Sequence, residues 1–164
     1  MLNERVFVGL GANLGGDLVA LRQTVADALA ALAAMPHTER LATSSHWLSA
    51  PVQAAGPDYV NAVAELRTSL APLELLSALQ MIEARFGRVR PYANAPRTLD
   101  LDLLLYGQRC INVPSLTVPH PLLHQRAFVL EPLAELAPSL LHPVLGELQR
   151  WRDAACAQRL RRLP

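Results

Sequence analysis

Residues 95–107, APRTLDLDLLLYG, contain two aspartates in a run that consists mainly of leucine. If this run is a strand, side chains two residues apart share a face, so Asp100 and Asp102 stand side by side with Leu104. The odd-numbered leucines of 99–105 then share the other face. Two residues along a strand span about 6.6 Å, where like charges repel by roughly 2.5 kcal/mol at an effective dielectric of about 20. We therefore expect a cationic group between the two carboxylates.

Four arginines precede the aspartates, with no acidic residue between the first and the last of them: Arg85, Arg88, Arg90 and Arg97. Guanidinium groups beside two carboxylates fit either a structural ion-pair cluster or a site for a metal-bound polyphosphate. The polyphosphate site is favoured because Mg²⁺ usually binds one or two carboxylates together with substrate phosphates. All fifteen basic residues are arginine, which excludes a P-loop lysine.

Two further groups of side chains are candidates for ligand binding. Tyr59 and Asn61 share one face of a predicted strand and combine an aromatic ring with an amide, although such a pair more often belongs to a packed core. His120 and His124 are four residues apart, but Pro121 interrupts a helix between them. A two-histidine metal site is therefore not expected, and a hydrogen-bonding role is favoured for His120.

Two other patterns are assigned structural roles. The segment 9–16, GLGANLGG, has the spacing GxGxxxG, and no acidic residue follows where a dinucleotide-binding domain would have one. It is interpreted as a tight turn between a strand and a helix, with Asn13 capping locally. Gln80 and Glu83, three residues apart on a predicted helix, are typical of a solvated helix face.

The hydrophobic pattern predicts the element order strand, helix, strand, strand, helix, strand. The predicted elements are a strand at 5–11, a helix from Leu18 that Pro36 closes, strands within 41–50 and 59–69, a helix from Pro72 to Gly87, and the strand of Asp100. This βαββαβ order is typical of a ferredoxin-like α+β sandwich, with a mostly antiparallel sheet and helices on its faces. The fold is extended at the C-terminus by a helix near 126–130, stopped by Pro132 and Pro138, and by a short helix with a solvated basic end.

Composition restricts the class of protein. A chain of 164 residues with 51% hydrophobic content and no repeat is expected to form one globular domain spanning 1–164. A net charge of +1 gives no indication of nucleic-acid binding. Cys110 and Cys156 lie far apart and fit a reducing compartment, and no apolar run is long enough to span a membrane. A cytoplasmic protein that binds neither nucleic acid nor membrane is expected.

Seven segments together resemble the 6-hydroxymethyl-7,8-dihydropterin pyrophosphokinases of folate biosynthesis: GLGANLG, SSHWLSAPV, GPDYVNAV, QMIEARFGRVR, APRTLDLDLLLYG, LTVPHPLLHQRAFVL and PLAELAP. The resemblance covers nearly the whole chain, and PRTLDLDLLLYG and VPHPLLHQRAFVL are its most specific parts. Enzymes of that family move the terminal two phosphates of ATP as a unit onto the hydroxymethyl oxygen of the pterin, and AMP leaves. The resemblance implies the same partners, ATP and the pterin, and we expect a monomer.

The resemblance also implies a role for each site residue. Asp100 and Asp102 would hold two Mg²⁺ ions that bridge the ATP phosphates, which would supply the expected cation. The residues implied around ATP are the catalytic arginines Arg88, Arg90 and Arg97 of a closing loop, and Gln80, Glu83, Leu103, Thr117, His120 and Arg126. The residues implied around the pterin are the rings of Tyr59 and Phe128, the amide of Asn61, and the backbone near Ser49, Ala50 and Val52.

The chain departs from the best-known members of this family at several positions. Asn94 replaces a tryptophan, Ala95 replaces a glycine, and Ser115 stands where some members have an arginine. The loop between Arg90 and Arg97 is also one residue shorter. These changes affect contacts to the pterin and to the nucleotide.

Two other classes of function fit part of the sequence. A two-metal phosphohydrolase would use the same aspartates and arginines, but it gives no reason for Tyr59, Asn61 and Phe128. A non-catalytic ferredoxin-like module that binds a small ligand leaves the aspartate pair unexplained. Nucleotide binding that depends on Mg²⁺ would count against this second alternative.

Overall fold

The computed structural model describes residues 3–14, 16–51, 56–87 and 98–164. Its strands are β1 (Glu4–Ala12), β2 (Thr38–Thr43), β3 (Trp47–Ser49), β4 (Tyr59–Thr68), β5 (Asp100–Tyr106), β6 (Ile111–Val113), β7 (Leu116–Val118), β8 (Leu141–His142), β9 (Gly146–Glu147) and β10 (Leu160–Arg162). Its helices are α1 (Leu18–Ala33), α2 (Pro72–Arg85), α3 (Ala127–Leu136) and α4 (Gln149–Ala154), with a 3₁₀ turn at Leu123–Gln125. In the described part of the chain, no helix is both long and apolar enough to cross a bilayer.

The main sheet has six strands, and every described strand pair in it is antiparallel. Strand β1 lies between β4 and β5, while β2 and β3 pair one after the other with the opposite edge of β4. Strand β10 pairs with β3 and extends the sheet at that edge. The predicted ferredoxin-like βαββαβ arrangement is therefore confirmed, with β2 and β3 together taking the place of its second strand.

Two hydrophobic clusters cover the opposite faces of the sheet. Helices α1 and α2 pack on one face through the predicted stripes, which include Leu21 and Val25 of α1 and Leu75 and Leu79 of α2. Helix α3 packs on the other face, together with Trp151 of α4. Helix α3 covers only part of its face and leaves the rest of that face open. The candidate site lies there, on the α3 side of the sheet.

The strand predicted within 41–50 is in fact two strands, and the hydrogen bonds of Ser44 explain the break. The Ser44 N–H donates to the carbonyl oxygen of Val63. The Ser44 hydroxyl oxygen accepts from the Val63 N–H at 2.9 Å, where a backbone carbonyl would continue a regular ladder. The Ser44 side chain thus interrupts the ladder with β4 at the point where β2 ends and before β3 begins.

The predicted alternation in β5 holds as far as Leu103 and then shifts. The register between β1 and β5 slips between Phe7 and Val8, which leaves Leu104 opposite no residue of β1. Such a bulge moves the following side chains to the other face. Leu105 therefore lies with Leu104 in the cluster under α3, and the prediction that it shares a face with Leu103 was wrong.

Two expectations about helix ends were also wrong. The α1 cap is Asp17, whose carboxylate accepts from the Ala20 N–H at 3.0 Å, and it is not Asn13, which is buried. Helix α3 continues through Pro132 to Leu136. The backbone hydrogen bond that the proline removes costs less free energy than burial of the helix's apolar face provides. The predicted short helix near the C-terminal end is α4, and the arginines that follow it are exposed as predicted, although 160–162 also form the edge strand β10.

Candidate active site

Two glycines of β1 form the floor of a cleft on the α3 side of the sheet. Gly11 pairs with Asn61 on β4 and with Asp100 on β5, and Gly9 pairs with Val63 and Asp102 in the same way. Val8 and Leu10 point into the opposite cluster, so a side chain at position 9 or 11 would project into the cleft. Because both residues are glycine, that space is left open. The result is a cleft of about 170 Å³ between the side chains of β4 and β5.

The two aspartates form one wall of this cleft. Asp100 and Asp102 lie on the same face of β5, as the sequence predicted, and both line the cleft and are half-buried. Strand β5 is the edge of the sheet, so the carboxylates border the open side. Two carboxylates at consecutive same-face positions, beside a floor with no side chains, leave room for a divalent cation with its own oxygen ligands.

Asn61 forms the opposite wall, and its orientation is set by three hydrogen bonds. Its side-chain nitrogen donates to the hydroxyl of Ser49 at 2.7 Å and to the backbone oxygens of Trp47 and Tyr59 at 3.3 and 3.4 Å. Its carbonyl oxygen faces the cleft floor, 3.4 Å from where a Cβ on Gly11 would stand. The amide therefore presents an acceptor to the cleft.

Two aromatic rings line the cleft beside this amide. Tyr59 comes from the start of β4, and Phe128 comes from the first turn of α3. Arg126 also lines the cleft, with its guanidinium carbon 5.5 Å from the centre of the Phe128 ring. The cleft thus combines aromatic surface, one amide acceptor, one guanidinium and two carboxylates. The backbone of Ser49 and Ala50 completes its rim.

His120 lies close to this site but lines a different cavity. Its ring nitrogen Nδ1 accepts from the Leu122 N–H at 3.1 Å. Burial, and secondarily the charge of Arg126, lower the pKa of His120 from 6.5 to about 4, while Asp100 acts in the opposite direction. The imidazole is therefore neutral near pH 7. His120 and Thr117 line a cavity of about 380 Å³ behind the β6–β7 hairpin.

The other residues implied around ATP occupy three different environments. Leu103 is buried in the cluster under α1 and α2, and Gln80 is exposed on α2. Glu83 is only 2% exposed, so the interpretation of this residue as part of a solvated face was wrong. Its carboxylate accepts from the Leu101 N–H at 3.0 Å, which ties α2 to the segment between the two aspartates. Arg88, Arg90, Arg97 and Val52 lie outside the described residues.

The two floor glycines are the site residues that the sequence analysis missed. A strand was predicted over 5–11, but the GLGANLGG pattern was interpreted only as a turn and not as part of the site, whereas its first four residues belong to β1. A signal was present in the sequence, because Gly9 and Gly11 alternate with Val8 and Leu10 at the period of a strand. An apolar strand with glycine at every second position predicts an open groove on one face.

A magnesium site fits the donor set around this cleft. Within the described ranges, no group of three or more histidine, cysteine, aspartate or glutamate side chains is placed to hold a metal ion. A site made only of protein ligands is therefore not formed by these residues. Mg²⁺ characteristically uses one or two carboxylates and completes its coordination with water and phosphate oxygens. Asp100 and Asp102 match that requirement.

The fold and the cleft are those of a ferredoxin-like α+β domain with paired carboxylates on one sheet face. Residues 7–138 match the family model of 7,8-dihydro-6-hydroxymethylpterin-pyrophosphokinase (HPPK). The chain belongs to this family.

Curated relatives agree with this assignment. The chain is 45% identical over 162 residues to the 2-amino-4-hydroxy-6-hydroxymethyldihydropteridine pyrophosphokinase of Pseudomonas aeruginosa, covering 98% of each chain. It is 44% identical over 138 residues to the protein of the same name from Haemophilus influenzae, covering 84% of each. It is also 39% identical to the Folic acid synthesis protein fol1 of Pneumocystis carinii, over 88% of this chain and 19% of that one.

Solved structures show the same fold. A structure of Plasmodium falciparum HPPK-DHPS with pteroate superimposes with a TM-score of 0.69 at 12% identity, and a second, with SDX-DHP, superimposes with a TM-score of 0.71. The match covers 93% of this chain but only 42 to 44% of those longer chains. At this identity the likeness supports the fold alone.

Proposed function

We propose that this protein transfers pyrophosphate from ATP to the hydroxymethyl group of 6-hydroxymethyl-7,8-dihydropterin and releases AMP. Membership of the family supports this activity, because its curated members are named as pyrophosphokinases. The observation that carries the proposal is the composition of one cleft. It has two carboxylates at one end, for a metal-bound polyphosphate, and aromatic rings with an amide at the other, for a flat heterocycle.

At the polyphosphate end, Asp100 and Asp102 would bind two Mg²⁺ ions. Bound there with ATP, the ions would neutralise the phosphate oxygens and the developing charge on the departing AMP. The aspartates would hold the ions, and through the ions the β-phosphate, beside the cleft floor. The glycine floor supports this role because it leaves space above β1, between the side chains of β4 and those of β5.

Cationic and polar side chains would bind the rest of the nucleotide. Arg126 borders the cleft and would hold a phosphate, while Arg88, Arg90 and Arg97 would close over the polyphosphate during the reaction. Neutral His120 would offer a hydrogen bond to a phosphate oxygen without adding charge. The remaining residues proposed around ATP are Gln80, Glu83, Leu103 and Thr117.

At the heterocycle end, Tyr59 and Phe128 would stack on the pterin. The Asn61 carbonyl would accept from a pterin N–H, since the amide nitrogen is already used by Ser49. The backbone of Ser49, Ala50 and Val52 would complete the polar edge. The pterin would lie between β3, β4 and α3, each of which contributes residues to the cleft lining.

The transfer itself forms one bond and breaks one bond. The hydroxymethyl oxygen of the pterin attacks the β-phosphorus of ATP, and the bond from that phosphorus to the α,β-bridging oxygen breaks. The hydroxyl proton is released, and AMP leaves with the bonding electron pair. We also propose that the protein acts as a monomer.

Calorimetry with a non-hydrolysable ATP analogue tests the proposal. We expect the α,β-methylene analogue to bind tightly only when Mg²⁺ is present, and the pterin to bind to the resulting complex. Asp100→Asn is expected to weaken analogue binding only in the presence of Mg²⁺. Binding that is independent of Mg²⁺, or no binding of the pterin, would contradict the proposed function.

A further inference from the structure

The start of helix α3 carries two side chains of the cleft, Arg126 and Phe128, but it is not capped by its own sequence. Arg126 occupies the cap position, and its side chain makes no capping hydrogen bond. The first backbone N–H groups of a helix have no partner within the helix, so an uncapped first turn tends to fray. An acceptor from elsewhere in the chain is therefore needed to hold these two side chains in place.

That acceptor is the side chain of Gln158, from the segment that follows α4. Its carbonyl oxygen accepts from the Ala127 N–H at 2.9 Å, and its amide nitrogen donates to the Gln125 carbonyl oxygen at 2.7 Å. One side chain thus satisfies backbone groups on both sides of Arg126. It acts as a helix cap that is supplied from 31 residues away.

The same segment is also joined to β3, which carries Ser49 at the rim of the cleft. Leu160 pairs with Ser49 in the ladder between β10 and β3. Ser49 is the residue whose hydroxyl oxygen accepts from Asn61. We call residues 158–162 the C-terminal clip, because they link the start of α3, which carries Phe128, to β3, which carries Ser49. Between the two contacts lies a cavity of about 260 Å³ that Arg159 borders.

We propose that Gln158 is a positioning residue for pterin binding. This inference rests on the proposed function, since it concerns the same cleft, but it assigns a role to a segment beyond the family-model match, which ends at residue 138. The clip keeps the first turn of α3 in the conformation that presents Phe128 to the ligand. If the turn frays, only part of the population is competent to bind, and the apparent dissociation constant rises in proportion.

Gln158→Met tests this role, because methionine keeps the length of the side chain but removes both hydrogen bonds. We expect the KM and dissociation constant for 6-hydroxymethyl-7,8-dihydropterin to rise about fivefold to tenfold, with kcat within about twofold of the unchanged protein. Gln158→Glu keeps the acceptor for Ala127 and loses the donor to Gln125, so a smaller rise is expected. Hydrogen exchange at the Ala127 amide of the ligand-free protein is expected to accelerate.

The matched control is Gln149→Met in α4. Gln149 is also exposed and also makes two side-chain hydrogen bonds, one to Asp153 and one from Arg152, and neither bond is to a residue of α3. We expect this variant to bind the pterin normally. The inference is overturned if Gln158→Met binds the pterin as the control does, or if its pterin affinity, nucleotide affinity and melting temperature fall together. If the unchanged protein fails to bind the pterin, the proposed function fails, and exchange at Ala127 alone decides the role of Gln158.

Discussion

The carboxylate of Glu83 accepts a hydrogen bond from the backbone N–H of Leu101 at 3.0 Å. Leu101 separates the two aspartates of the candidate metal site, and its strand is the edge of the sheet. An edge strand has one row of backbone groups that the sheet does not use. Glu83 takes up one of these groups at the position between Asp100 and Asp102. The buried end of α2 therefore helps to fix the spacing of the aspartates.

Replacing Glu83 is expected to affect both stability and the requirement for metal. Glu83→Ala leaves the buried Leu101 N–H without this acceptor, which costs about 1–3 kcal/mol of unfolding free energy. Glu83→Gln keeps a carbonyl acceptor and is expected to cost less. Urea unfolding and a Mg²⁺ titration of activity measure the two effects, with Ser77→Ala on the exposed side of α2 as control. Unchanged stability and unchanged Mg²⁺ dependence in Glu83→Ala would contradict this role.

Removing either aspartate is expected to abolish turnover and preserve the fold. Asp100→Asn and Asp102→Asn each remove one charge of the proposed metal site, with a loss of transition-state stabilisation of several kcal/mol, or a rate decrease of about 10³-fold or more. Thermal unfolding is expected to change little, because the carboxylates repel each other in the absence of metal. Circular dichroism and a steady-state assay at saturating Mg²⁺ provide the measurement. Near-normal turnover in both variants would refute the metal assignment.

Filling the cleft floor is expected to weaken substrate binding without destabilising the protein. In Gly11→Ala the new methyl group stands 3.4 Å from the Asn61 carbonyl oxygen and 3.6 Å from the Tyr59 ring. We expect the KM for the pterin to rise by about tenfold, while the melting temperature stays the same or increases, as is usual when alanine fits a glycine position. Gly9→Ala, beside Asp102, is expected to raise the KM for ATP instead. A change in the same KM in both variants would count against two separate ends of the cleft.

Part of the loss of stability in acid is expected to come from His120. Its pKa is lowered to about 4 in the folded protein, whereas the unfolded value is near 6.5. Between these values the unfolded chain binds a proton that the folded protein does not, so folding stability decreases as the pH falls from about 6.5 to 4. His120→Asn removes this contribution, and urea unfolding at pH 7.5 and 5.0 measures it. Equal losses of stability in the two proteins would contradict the assignment, since the other histidines remain in both.

The helices and strands whose apolar residues recur at regular spacing were predictable from the sequence. The stripes of α1 and α2 and the alternation in β5 led to the correct βαββαβ order. Strand β10 was missed because it is only three residues long and two of them are arginines, so its strand conformation depends on pairing with the edge of β3. The end of α3 was predicted too early, at Pro132, because local helix propensity does not account for the apolar burial that stabilises the helix beyond this proline.

The candidate site was predictable where its chemistry shows in residue types. Asp100 and Asp102 stand out as charges within a leucine strand, and strand spacing puts Tyr59 and Asn61 on one face. The resemblance added Phe128 and the proposed pterin contacts, and all five residues line the same cleft. The role of Gln158 depends on a contact across 31 residues, so no local pattern reveals it. The roles of Arg88, Arg90 and Arg97 stay predictions.

The identity of the attacked phosphorus distinguishes pyrophosphoryl transfer from ordinary kinase and hydrolase chemistry. Phosphorus NMR of a reaction containing ATP, Mg²⁺ and 6-hydroxymethyl-7,8-dihydropterin distinguishes the possible products. We expect AMP and a pterin diphosphate in equal amounts, with no reaction when the pterin is omitted. ADP with a pterin monophosphate, or release of free phosphate or pyrophosphate without the pterin, would contradict the account.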